Sequence, residues 1–77
     1  MRPFRTLKIP SRAHPLVRQM TEIQNTERYG VADLAARSGV SKTAIHNWRH
    51  SNVPRVNDLQ ACLNALGYEL VIRRIGE

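Results

Sequence analysis

The chain has 77 residues, with 12 Lys and Arg against 6 Asp and Glu for a formal charge of +6, and it is 42% hydrophobic but only 5% aromatic. That size allows one domain with a thin core, of the kind that often needs a partner subunit. The balance argues against a disordered tail or a β-sandwich and for a compact helical domain. The positive charge favours a polyanionic partner, either nucleic acid or an anionic membrane surface. It is unevenly spread. Nothing acidic precedes Glu22, while Arg2, Arg5, Lys8, Arg12 and Arg18 do, and a second acid-free stretch from Leu34 to Asn57 holds Arg37, Lys42, Arg49 and Arg55. The plainer alternative is a solubilising surface.

Residues 1–13 show no helical period and are broken by Pro3, Pro10 and Ser11, so they read as a basic N-terminal arm. Pro15 suits a first helical turn, and Leu16, Met20 and Ile23 at spacings of four and three predict a helix continuing to Gly30. Val31, Leu34, Ala35 and Ser38 share one face of a short second helix, stopped by Gly39 in a left-handed conformation. Ser41 can cap a third helix running to about His50. Ser51, Asn52, Val53 and Pro54 form the exit loop. Asn57 or Asp58 can cap a fourth helix, with Leu59, Cys62, Leu63 and Leu66 on one face and Gly67 at its end.

The remainder, 68–77, is β-branched and short and reads as a strand with nothing in the chain to pair with. Pairing with the same strand of another copy would satisfy its backbone, which makes Tyr68, Leu70, Val71, Ile72 and Ile75 candidate dimerisation residues. A frayed tail, or a strand lying on its own domain, is the alternative. The expected fold class is therefore mainly all-α: a four-helix domain over 14–67 with a short C-terminal β-strand pairing across a dimer.

On a wheel of about 100° per residue with Lys42 at zero, Ala44, Ile45 and Trp48 fall at roughly 200°, 300° and 240° and define a buried face. Lys42, His46, His50, Thr43 and Asn47 fall between roughly 0° and 140°, with Arg49 near 340°. This opposite face is wholly polar, rich in donors and free of acid, as a surface against phosphate should be. Its residue types suit base edges: Asn pairs with adenine, Lys donates to guanine, and a Thr methyl meets the thymine methyl.

The run Val31-Ala32-Asp33-Leu34-Ala35-Ala36-Arg37-Ser38-Gly39-Val40-Ser41-Lys42-Thr43-Ala44-Ile45-His46-Asn47-Trp48 resembles the helix-turn-helix of the Cro and phage-repressor (lambda-repressor-like) family. Leu34 and Ala35 match its buried pair, Gly39 its turn, Val40 and Ile45 its core contacts, and Trp48 its apolar anchor. Pro54, Val56, Leu59, Leu66 and Gly67 resemble the following helix, so the likeness covers about residues 16 to 67. The resemblance implies a phosphate contact at Ser41 and base-edge contacts from Lys42, Thr43 and Asn47, with His46 beside them. One departure is Val31, where many members carry a Gln that bridges phosphate to the recognition helix.

The resulting expectation is a sequence-specific DNA-binding regulator, a repressor acting as a homodimer on an inverted-repeat operator in double-stranded DNA. Its candidate DNA-binding residues are Ser41, Lys42, Thr43, His46, Asn47, Arg49, His50, Arg37, Arg55, Arg2 and Arg5. The alternative is an antitoxin that binds DNA and neutralises a partner protein, since Leu66-Gly67-Tyr68-Glu69-Leu70 followed by a strand resembles the end of some helix-turn-helix antitoxins. His46 and His50 have metal-ligand spacing, but the further ligands a site needs would have to come from Cys62 or His14, so no metal and no cofactor is expected. No nucleophile elbow or phosphate-binding loop suggests an enzyme. No stretch is long enough to span a bilayer and no signal-peptide run is evident. The single cysteine, unable to close an intrachain disulfide, fits a reducing prokaryotic cytoplasm.

Overall fold

The computed structural model describes residues 4–50 and 52–76. Four helices follow one another, α1 (Pro15–Glu27), α2 (Val31–Ser38), α3 (Lys42–Trp48) and α4 (Val56–Ala65), and among the described residues there is no strand. No helix among them is long and apolar enough to cross a membrane.

Helix α1 opens on Pro15, whose missing N–H costs nothing in the first turn, while the His14 Nδ1 accepts from the Leu16 amide at 3.1 Å. Its buried stripe is Val17, Met20, Thr21 and Gln24. The spacing of Leu16, Met20 and Ile23 predicts a face turned by about one residue, and Leu16 is in fact exposed. Two of the four buried residues are polar, so an apolar count misplaces the stripe. Both polar side chains are satisfied: the Thr21 hydroxyl donates to the Val17 carbonyl at 3.0 Å and the Gln24 amide to the Tyr29 carbonyl at 3.1 Å. Burial without those bonds would cost on the order of 1–3 kcal/mol each.

The helix stops at Glu27 and not at Gly30. Arg28 takes the left-handed conformation at φ 57°, and the Tyr29 amide bonds back to the Gln24 carbonyl at 2.8 Å, closing a Schellman-type end. Gly30 instead precedes α2 as its N-cap. Gly39 at φ 80° ends α2, with open space where a Cβ would stand, so its requirement is conformational and not steric. Asp33 in the first turn and Arg37 in the last each complement the helix dipole.

Val40 is buried in the three-residue turn 39–41, and the Ser41 hydroxyl caps α3 by accepting from the Ala44 amide at 3.1 Å. Helix α3 ends two residues before His50. There the Arg49 and His50 amides bond to the His46 and Asn47 carbonyls, both at 3.1 Å, in a tightened final turn. Helix α4 starts at Val56, earlier than a cap at Asn57 or Asp58 predicts. Its N-cap, Arg55, makes no side-chain cap bond, and Asp58 lies inside the first turn, where the dipole favours its charge. Gly67 at φ 90° and the Tyr68 amide on the Leu63 carbonyl, 2.8 Å, close α4.

One core joins Ala13, Val17, Met20, Leu34, Val40, Ile45, Trp48, Leu59, Cys62, Leu63 and Leu66. The C-terminal segment leaves it quickly. Leu70 is half-buried against the core, but Val71, Ile72 and Ile75 are exposed and the segment forms no strand within the chain. The physical reason is the one already visible in the sequence: a single copy offers no second strand to accept its ladder.

Burial pushes the Cys62 thiol above its ordinary pKa, and Asp58 pushes it the same way against a hydrogen bond from Ser38. The reactive thiolate is therefore suppressed in the folded state. Cys62 should label with a disulfide reagent only as fast as the domain unfolds, and rapid labelling of the native protein would contradict this packing. Arg28→Gly should raise stability by about 0.5–1 kcal/mol in denaturant titrations, because it relieves a left-handed non-glycine residue at a modest entropic cost.

Candidate nucleic-acid interface

Helix α3 has only seven residues, and its two buried side chains, Ile45 and Trp48, are 1% and 4% exposed. With that side tied to the core, the helix can present only its other side. Lys42, Thr43, His46 and Asn47 are exposed there, and His50 continues the same face one turn beyond the helix. Ser41 is exposed at the start of the helix, its hydroxyl oxygen committed to the cap. These six residues form one continuous polar surface with no carboxylate among them, within the acid-free stretch from Leu34 to Asn57.

The other candidates lie elsewhere. Arg37, exposed in the last turn of α2, has its guanidinium 6.0 Å from the Tyr29 ring centroid, within cation–π range. Arg55 is exposed at the N-cap of α4, and Arg5 is exposed in the N-terminal segment. Arg2 and the exit-loop residue Ser51 lie outside the described residues.

Arg49 turns away from the exposed face. Its guanidinium donates to the Lys8 carbonyl and to the Thr21 hydroxyl, the latter at 3.4 Å, and burial lowers its pKa from the ordinary arginine value. The described part of the N-terminal segment does not stand off as a free arm. Asn25 on α1 clamps it, accepting from the Leu7 amide at 2.7 Å and donating to the Leu7 carbonyl at 2.9 Å. A turn from Pro10 to Ala13 follows, with the Ala13 amide on the Pro10 carbonyl at 3.4 Å, and Ala13 enters the core. Lys8, Ile9, Pro10, Ser11, Arg12, Arg49 and His50 then line a cleft of about 410 Å³.

Asn25, Thr21 and Arg49 thus hold the N-terminal segment beside the end of α3, a role with no local signature in sequence. Leu7 and Asn25 are 18 positions apart, Lys8 and Arg49 are 41 apart, and an asparagine on a helix is otherwise unremarkable. Among the described residues no group of three His, Cys, Asp or Glu is placed to hold a metal ion. Comparison of the chain with protein-family models, with curated proteins and with solved structures finds no match.

Asn25→Ala removes both bonds to Leu7, each worth about 0.5–1.5 kcal/mol net. The Leu7 amide should then exchange its hydrogen about tenfold faster or more while amides of α2 keep their protection. Unchanged exchange at Leu7 would mean that the clamp does not hold the segment.

Proposed function

We propose that this protein is a sequence-specific DNA-binding transcription regulator, a repressor that acts as a homodimer on an inverted-repeat operator. In this reading α2, the turn 39–41 and α3 form a helix-turn-helix, and α3 enters the major groove. The observation that carries it is the acid-free face of Lys42, Thr43, His46, Asn47 and His50, exposed on a short helix whose opposite side is pinned by Ile45 and Trp48. Pinning matters because base readout needs side chains delivered in a fixed register. The resemblance of residues 31–48 to the Cro and phage-repressor family points the same way.

Lys42, Thr43 and Asn47 are assigned to base edges, Ser41 to phosphate, and His46 beside them. Arg37, Arg55, Arg5 and Arg2 supply longer-range attraction, which steers without selecting sequence. The dimer is assigned to the C-terminal segment, where Val71, Ile72 and Ile75 are 71%, 102% and 99% exposed and the backbone lacks a ladder partner. No enzymatic activity or cofactor enters this reading, and its setting is the prokaryotic cytoplasm. The same exposed apolar segment also favours the antitoxin reading, in which it is covered by a partner protein. A toxin-like gene beside this one would support that alternative.

Selection from a random duplex pool should return an inverted repeat with half-site centres one helical turn, about 34 Å, apart. Lys42→Ala should relax preference at one base position and weaken specific binding by about 1–3 kcal/mol. If Lys42→Ala leaves both affinity and preference intact, α3 is not the reading helix.

A further inference from the structure

The cleft beside α3 has an electrostatic character that the helix alone does not supply. Its lining residues include Lys8, Arg12, Arg49 and His50 and no carboxylate. Arg49 is half-buried with two of its N–H donors engaged by neutral oxygens, the Lys8 carbonyl and the Thr21 hydroxyl. A cation withdrawn from water and given no counter-charge is held at a cost that an incoming anion offsets. Lys8, Ser11, Arg12 and His50 are all exposed, so the cleft is reachable. Its 410 Å³ is ample for a phosphate group.

We propose that this cleft is a second anion site that takes a phosphodiester of the DNA backbone, held by Lys8 and Arg12 with Arg49 and His50. The proposal rests on the DNA-binding reading and extends it to a surface built from the opposite end of the chain. His50 belongs both to the exposed face of α3 and to the cleft, so the two surfaces are continuous. At 1.5 Å per residue, Lys42 and His50 are about 12 Å apart, comparable to the width of the major groove. A helix whose first turn meets base edges therefore brings the cleft to the sugar-phosphate strand at the groove's edge. Arg49 also positions Lys8 by gripping its carbonyl, so the segment meets DNA as a preset part of the surface and loses less entropy than a free arm would.

The test is the salt dependence of binding to the selected duplex, measured for the full chain and for the double variant Lys8→Ala with Arg12→Ala. Both side chains are exposed, and a thermal melt checks that the variant is folded. The wild-type slope of log K against log salt should become shallower by about 1.8 in the variant, close to 0.9 for each lost phosphate contact. The preferred sequence should stay the same, in contrast to Lys42→Ala. A folded double variant with the wild-type slope overturns the cleft site and leaves the DNA-binding reading standing. A wild-type protein that binds no duplex overturns both.

Discussion

The docking of Ile45 and Trp48 under α3 is the interaction on which the rest depends. A helix of seven residues is far below the length that is stable alone in water, because nucleation fixes several residues before propagation rewards them. The burial of two large side chains, on the order of 1.5–3 kcal/mol each, is what holds the helix together. The same contact decides which side of it faces outward. Ser41 and Gly39 support this arrangement from the front, one by satisfying the Ala44 amide and the other by allowing the left-handed turn that redirects the chain. Helix existence, helix orientation and the composition of the exposed face therefore follow from one packing event.

Polar groups play a larger part in this small core than its hydrophobic residues suggest. Thr21 lies fully buried in α1, donates within its own helix and accepts from Arg49. Asn25, one turn further on, substitutes its side-chain amide for a strand neighbour and satisfies both backbone groups of Leu7. Through these two side chains α1 reaches the end of α3 and the N-terminal segment together. A thin core gains definition from such bonds because each leaves a buried group unsatisfied if the partner moves.

The two ends of the chain are treated differently. The N-terminal segment has donors and acceptors waiting for it on α1 and α3, and it docks. The C-terminal segment has Leu70 as its one core contact and then projects Val71, Ile72 and Ile75 into solvent. Exposed apolar residues on an unpaired backbone are a surface that soluble domains usually cover.

Much of the helical frame was legible in the chain itself. Pro15, Gly39, Ser41 and Gly67 act through their own backbone and side-chain chemistry, so their positions mark helix ends whatever surrounds them. The polar and apolar sides of α3 follow from its period and its composition. The sequence could not reveal that α1 buries Thr21 and Gln24 in place of Leu16, because polar residues carry no apolar signal and their partners are set by folding. Nor could it reveal the end of α1 at Arg28, where a non-glycine residue takes a conformation that glycine would advertise. The docking of residues 4–13 and the inward turn of Arg49 depend on contacts across 18 and 41 positions. Local chemistry determined where the helices begin and end. Only tertiary structure decided which polar side chains were satisfied inside and which remained free to meet a partner, because that depends on neighbours brought together from distant parts of the chain.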